Sequence, residues 1–235
     1  MIVTYSRIVT YTKCPYKYRL TYLEGWVPEV TKDYLEIGRA WHEAMEIVRS
    51  GGTTQSAIAH ILRYDFPDDV NEMLTEGLVM FENNPPPYKA LSCEEPIEVE
   101  YAEGVVFRAK PDEIAEWKGQ KWLVERKTVS GFGPVYQRFL HESWQPVAYM
   151  WAWEKTHTEP LAGVVFEVFI KRPKNPELFR EIVLVPNQRL REWEEFLHHY
   201  TPLLLDGPYN KVLTNCTHPY RGRCEYYNFC HFNLK

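Results

Sequence analysis

Residues 109–128 read AKPDEIAEWKGQKWLVERKT. The segment KGQ is a turn signal between two strand-like runs. Residues two apart in a strand share a face, so Glu125 and Lys127 point the same way. A tight turn at Lys118-Gly119 folds the preceding strand back alongside, which lets Asp112 lie beside Glu125. Two converging carboxylates repel each other unless a proton or a cation sits between them. Hard divalent cations such as Mg²⁺ take oxygen ligands from one or two carboxylates and keep waters. A neighbouring lysine can orient or help deprotonate one of those waters, giving a nucleophile for phosphodiester hydrolysis. The competing explanation is an ordinary ion pair, because Asp, Glu and Lys are common on strand surfaces. WLVERKT weighs against it by setting the charged pair at the end of an apolar, central strand, where a buried charge needs a partner.

Around this segment the pattern changes period. Ile97, Val99 and Tyr101 alternate with Glu98 and Glu100, and AEG is a second turn signal, so a three-stranded antiparallel meander is expected over about 96–102, 104–117 and 121–128. Upstream, Ser6 can cap a helix through about Lys13, and CPYKYRLTYLEGW reads as a further helical piece ending near Gly25. Residues 34–50 place Ile37, Trp41, Ala44, Met45 and Val48 at helical spacing, and residues 54–83 read as more helix. Downstream, SWQPVAYMWAWEKTHT returns to helix. LAGVVFEVFIKR and LFREIVLV read as strands, and PNQRLREWEEFLHHY as a helix with Leu190, Trp193, Leu197 and Tyr200 on one face. No internal repeat or low-complexity segment interrupts the chain.

Bulk composition narrows the class. Of 235 residues, 45% are apolar and 25% charged, which fits a packed domain rather than a disordered chain. A net charge of −5 argues against a protein held on nucleic acid by a broad basic surface, yet a carboxylate-lined metal site contributes negative charge by design. Local basic groups remain at Lys13, Lys17 and Arg19, at Lys171, Arg172 and Lys174, and at Arg221 and Arg223; solvated faces explain them equally well. Sixteen Tyr and eight Trp suit a core and also base stacking. The opening MIVTYSRIVTYTK has no long apolar run, so no signal peptide or membrane anchor is expected and a reducing, cytoplasmic setting follows.

His42 stands four residues after Gly38, so the two share a helix face, and Gly38 would let another backbone come close. Gln145 and Tyr149 are also four apart, with Trp153 continuing the stripe. Each feature alone is better explained structurally, His42 as a structural or exposed histidine and the second stripe as core packing. Taken in order, however, Gly38-x3-His42, Pro111-Asp112, Glu125-x-Lys127 and Gln145-x3-Tyr149 resemble the PD-(D/E)XK nuclease superfamily. Within it they resemble the RecB-type branch, which includes CRISPR-associated single-strand exonucleases and the nuclease domains of helicase–nuclease complexes. The opening YSRIVTYTKCPYKYRLTYL is similar to that branch's Ser, Tyr, Cys-Pro segment, and the resemblance runs from about residue 5 to residue 231. It implies that His42, Asp112 and Glu125 bind Mg²⁺ or Mn²⁺. It further implies that Lys127 positions the attacking water, that Gln145 supports the lysine or that water, and that Tyr149 contacts the DNA backbone.

Cys14, Cys216, Cys224 and Cys230 are four soft donors, one early and three late, while Cys93 stands apart. Such a set suits an iron–sulfur cluster or zinc, and either would pin the chain ends across a long loop. The early Cys-Pro with a late triplet resembles the four-iron four-sulfur (4Fe–4S) staple of the same exonuclease branch. Seven residues separate Cys216 from Cys224 where that branch has Cys-x2-Cys, which leaves zinc, free thiols or a mixed set open. His218 and His231 read as loop histidines rather than ligands.

The expectation is therefore an α/β fold, a central mixed sheet flanked by helices with a restriction-endonuclease-like core. It would form a single nuclease domain over 1–235, with an N-terminal segment (1–33), a helical lobe (34–90), the core (91–200) and a cysteine-rich clasp (201–235). The activity implied is metal-dependent exonuclease cleavage of DNA, on single strands or ends, in repair, recombination, CRISPR adaptation or phage processing. With no helicase motif in the chain, unwinding would fall to a partner helicase. The alternatives are a non-catalytic DNA-end-binding subunit of a larger complex, a site-specific endonuclease, and a purely structural protein whose charges form a buried ion pair.

Overall fold

A computed structural model describes residues 1–28, 33–212, 214, 216–218 and 222–232. The chain begins with β1 (Ile2–Val3), α1 (Tyr5–Lys13), α2 (Pro15–Tyr18) and a π-helical turn over Arg19–Leu23. Then come α3 (Asp33–Arg49), α4 (Thr54–Ile61) and α5 (Asp68–Asn83). Five strands follow: β2 (Lys89–Cys93), β3 (Ile97–Ala102), β4 (Val105–Ala109), β5 (Glu113–Trp117) and β6 (Gln120–Val129). After α6 (Pro134–Glu142) and α7 (Gln145–Thr156) come β7 (Val164–Ile170), β8 (Glu177–Val183) and α8 (Asn187–Asp206). The described tail holds β9 (Thr217–His218), β10 (Gly222–Arg223) and α9 (Tyr227–Phe232). This is the expected α/β fold with mixed sheets flanked by helices. No helix among the described residues is long and apolar enough to cross a membrane.

The backbone divides into two units. One comprises Asp33–Val99 and Arg108–Trp193 and carries a five-stranded sheet in the order β2-β5-β6-β7-β8. Its β6–β7 pair is parallel and its other pairs are antiparallel. The turn between β5 and β6 is the expected one: Trp117 pairs with Gln120, and Lys118 and Gly119 have φ of 54° and 73°. Positive φ at both positions matches the twist of the paired strands, and glycine reaches that region at no steric cost. Along β6 the side chains alternate, and the two faces are covered by different helices. Trp41 of α3 stacks on Phe169 of β7 with centroids 4.0 Å apart, above a buried group that includes Met45, Leu74, Leu78 and Phe81. Each such side chain contributes about 1.5–3 kcal/mol by leaving water. On the other face lies α7, which buries Val147, Ala148, Met150 and Trp151.

The other unit comprises Met1–Lys32, Glu100–Phe107 and Glu194–Lys235. Here β1 runs parallel to β4, with Ile2 opposite Val106 and Val3 opposite Phe107. A tyrosine cluster joins its early and late segments: Tyr11 meets Tyr18, Tyr200 and Tyr209 at centroid distances of 5.5, 6.3 and 6.3 Å. Tyr11 and Tyr18 also donate hydrogen bonds to the carbonyls of Pro208 and Leu204, at 3.0 and 3.3 Å.

Several expectations are corrected. Thr4, not Ser6, caps α1, its hydroxyl accepting from the Arg7 N–H at 3.3 Å. The middle strand of the meander is two strands in different sheets, β4 pairing with β1 and β3, and β5 with β2 and β6. The break falls at Lys110–Asp112, where Pro111 has no N–H to give a ladder and Asp112 turns its side chain to the Arg126 N–H. Residues 54–83 form two helices, the first ending at Ile61 and the second starting after Pro67. Helix α8 runs past Tyr200 to Asp206 although Pro202 lies inside it; Leu197 and Leu204, fully buried on either side, keep that turn docked. Arg221 lies outside the described residues.

Candidate active site

Glu125 and Lys127 project from the α7 side of β6. Lys127 Nζ donates to Glu125 Oε1 at 2.6 Å and to Gln145 Oε1 at 2.9 Å. Gln145, in the first turn of α7, passes the chain on by donating from Nε2 to the Tyr149 hydroxyl at 3.1 Å. Tyr149 thus meets the site through Gln145, and burial pushes its pKa up. The register Glu113 opposite Val124 carries Asp112 to the position beside Glu125. Asp112 Oδ2 accepts from the Arg126 peptide N–H at 2.5 Å, and Oδ1 lies 3.0 Å from His42 Nδ1. His42 comes from α3, the helix that packs on the opposite face of β6. Gly38, one turn earlier, permits that packing: a Cβ there would lie 3.1 Å from Thr128 Oγ1, so a strand side chain, not a backbone, makes the close approach.

One acidic residue of the site went unread in the sequence. Glu94 follows β2, a short edge strand, and its backbone takes a φ of 53°. Its N–H donates to the Asp112 carbonyl at 3.2 Å, which turns its carboxylate inward beside Lys110 at 2.6 Å. Ligand atoms of His42, Glu94 and Asp112 all lie within 4.8 Å of one another. The sequence signal for it is faint: two acids between the irregular run KALSC and Pro96, with no periodicity to aim them.

The electrostatics are those of crowded carboxylates. Burial pushes Glu125 up to about 7, the Lys127 ammonium pulling against it and the Asp112 charge adding to it. Burial also raises Glu94, again with Asp112 contributing. Asp112 goes the other way: burial alone would raise it, but His42 and Arg126 outweigh burial and hold it well below the usual range. His42 is raised despite burial, by the Asp112 charge and hydrogen bond. Glu125 Oε2 is buried and has no hydrogen-bond partner among the described residues, an arrangement costly to leave unfilled. All four groups line one open cleft of about 680 Å³, with Lys127 and Gln145 on the same walls.

On the α3 side of β6, Arg126 is wholly buried and lies against Glu113 and Glu167, its Nε 3.2 Å from Glu167. Arg49 reaches Glu113 at 2.6 Å and Arg180 reaches Glu167 at 3.1 Å. This network backs the site: the Arg126 peptide N–H donates to the Asp112 carboxylate and its side chain to the Asp112 carbonyl.

The four cysteines read as a set all belong to the unit built from the early and late segments. Cys14 precedes Pro15 at the start of α2 and Cys230 lies in α9. The long spacing between Cys216 and Cys224 is taken up by a two-stranded ladder, His218 opposite Gly222 and Thr217 opposite Arg223. It returns the chain so that the Cys224 N–H donates to the Cys216 carbonyl at 2.8 Å. The thiols sense one another. Burial raises Cys216, with the Cys14 charge adding; burial raises Cys230, with Cys216 and Cys14 adding; and burial raises Cys224, with Cys216 among the lesser causes. Cys93 lies in the other unit, near Glu113. His218 and His231 fall in β9 and α9 rather than in loops.

A family model described as the PD-(D/E)XK nuclease superfamily matches residues 2–231. No curated protein matches the chain. Twenty-three solved chains match. One of them, described as "Crystal structure of SSO0001", is 15% identical, over 100% of this chain and 87% of that one, with a TM-score of 0.42.

Proposed function

Because the chain belongs to the PD-(D/E)XK nuclease superfamily, we propose that it is a divalent-metal-dependent deoxyribonuclease acting as an exonuclease on single strands or DNA ends. The observation that carries the metal is the convergence of His42, Glu94 and Asp112 beside a buried, unpartnered Glu125 oxygen. Three carboxylates and one imidazole are the donor set of a hard or borderline cation such as Mg²⁺ or Mn²⁺. His42, Glu94, Asp112 and Glu125 would hold it. Bound there, such an ion lowers the pKa of a water and offsets charge on a phosphate. The chain's own part is positional. Lys127, clamped between Glu125 and Gln145, presents a fixed ammonium to the incoming phosphate and water, and Tyr149 fixes Gln145 in turn. The order of motifs shared with the RecB-type branch supports the exonuclease reading, with DNA as substrate and a helicase as the partner that would supply unwinding.

End-labelled single-stranded DNA is expected to be degraded with Mg²⁺ or Mn²⁺ and not in EDTA. Mn²⁺ is also expected to raise the melting temperature, since a ligand at a hundred times its Kd stabilises the folded state by about 2.7 kcal/mol. Asp112→Ala should lose both responses. Tight end binding without metal-dependent cleavage would replace the enzyme reading with a DNA-end-binding subunit, and cutting of closed circles would replace exonuclease with endonuclease.

The four cysteines fit a 4Fe–4S cluster by donor type and by their gathering in one unit, and His218 and His231 are not needed as ligands. The cluster's contribution would be to staple the chain ends. Protein purified without oxygen is expected to be brown, and Cys230→Ala to be colourless and less stable. Colourless wild-type protein carrying stoichiometric zinc would overturn the cluster.

A further inference from the structure

The cleft over the candidate active site has several cations on its walls, and nearly all are matched by a carboxylate. Lys110 lies 2.6 Å from Glu94, Lys127 2.6 Å from Glu125 and Arg39 3.4 Å from Glu36, while Arg126 is held by Glu113 and Glu167. Lys171 is the exception among the described cleft residues. It directly follows β7, where its N–H donates to the Val129 carbonyl at 2.7 Å. Its ammonium donates to the Tyr34 carbonyl at 3.3 Å and lies 5.7 Å from the centroid of the Tyr34 ring. Those contacts are dipolar and aromatic, and neither supplies negative charge. The next residue, Arg172, has its own carboxylate, Glu177, at 2.5 Å. Burial depresses the Lys171 pKa, as expected of an ammonium drawn partly out of water with no anion beside it among the described residues.

A half-buried cation whose described neighbours supply no anion is stabilised when one arrives. The position tells which anion. Tyr34 and His42 are eight residues apart on α3, which is about 12 Å along the helix axis. That spacing points, for a phosphate on Lys171, to a linkage next to the one lying among His42, Glu94, Asp112 and Glu125. We propose that Lys171 binds a non-scissile phosphate of the substrate strand, with the half-exposed Tyr34 ring beside it as a surface for the attached nucleoside. The inference rests on the nuclease reading of the same cleft and adds where the strand is held. Lys171 is a binding residue, not a catalytic one.

The test compares wild type, Lys171→Met and Lys171→Arg, with melting temperatures confirming that each is folded. A single-stranded oligonucleotide is titrated in EDTA at several salt concentrations, and its cleavage is followed with Mn²⁺. Lys171→Met is expected to bind about tenfold more weakly, and its slope of log K against log salt should be shallower by about 0.7, the loss of one single-strand phosphate contact. Its KM should rise by a similar factor with a smaller effect on kcat, as expected when binding common to ground and transition states is removed. Lys171→Arg should stay near wild type. A neutral methylphosphonate placed at one linkage, away from the scissile one, should erase the difference between wild type and Lys171→Met. If wild type cuts the strand while folded Lys171→Met shows the same KM and salt slope, Lys171 has no such role and the nuclease reading stands. Lys171 likewise loses this role if the difference is erased only by neutralising the scissile linkage. If wild type neither binds nor cuts single strands, the reading of the cleft fails and this inference with it.

Discussion

Lys127→Met is expected to lower the cleavage rate by about 10²–10³-fold, the range for removing one positioned donor that stabilises developing charge, while leaving divalent-cation binding in place. The substitution keeps the length and apolar stem of the side chain and removes only the ammonium. That ammonium now makes two bonds, to Glu125 at 2.6 Å and to Gln145 at 2.9 Å, and neither Asp112 nor His42 depends on it for a hydrogen bond. Removing a positive charge next to a cation site cannot repel the cation. The Mn²⁺-induced rise in melting temperature should therefore persist in the variant, whereas Asp112→Ala should lose it. Single-turnover cleavage measured beside Mn²⁺ titration separates the two roles. Full cleavage by Lys127→Met would end the assignment of Lys127 to the reaction. Joint loss of cation binding and cleavage would make the lysine a scaffold for Glu125. Gln145→Ala should fall between wild type and Lys127→Met, since it removes the clamp and leaves the ammonium.

The features readable in the sequence were those governed by a local rule. Strand alternation puts Glu125 and Lys127 on one face, and a two-residue turn ending in glycine brings Asp112 alongside. Helical spacing ties Gln145 to Tyr149, and their bond is present at 3.1 Å. Features set by tertiary placement were not readable. Glu94 is aimed by an edge strand, KALSC, with little periodicity and a register shift between Ala90 and Ser92. The split of residues 104–117 into two sheets turns on one missing N–H at Pro111, which alternation alone does not reveal. Helix α6, starting at Pro134, carries the exposed Val135 and Phe139 and only one fully buried residue, Leu140, so its apolar pattern does not report a packed face. Alternation turns Arg126 to the opposite face from Glu125 and Lys127, so sequence spacing does not tie it to the site. Its partners Glu113 and Glu167 are 13 and 41 residues distant.

Arg126→Ala is expected to be the most destabilising of the single substitutions proposed for this chain. Arg126 is 2% exposed, and it faces Glu113 and Glu167, at 0% and 6%. Truncating one partner of a buried ion network leaves charge in a medium that solvates it poorly, at a cost of about 3–5 kcal/mol. Arg49 and Arg180 stay beside Glu113 and Glu167 at 2.6 and 3.1 Å, so the carboxylates are not left wholly unpaired, and the lower part of that range is the better expectation. Against a typical total of about 5–15 kcal/mol, the loss is large enough to lower the melting temperature by roughly 6–12 °C in a chain of this size. Lysine would not rescue it fully, because a single ammonium cannot reproduce a planar fork that bonds two carboxylates and the Asp112 carbonyl together. The control is Arg108→Ala, which breaks a pair of similar geometry, 2.6 Å from Glu98, but with both side chains over 40% exposed. An exposed pair of that kind is worth about 0–1 kcal/mol. Thermal melts of the two variants side by side decide the matter. If Arg126→Ala melted with Arg108→Ala, near wild type, the buried network would contribute nothing to stability. In that case the positioning of Asp112 would come from His42 and from the Arg126 peptide N–H, which alanine retains.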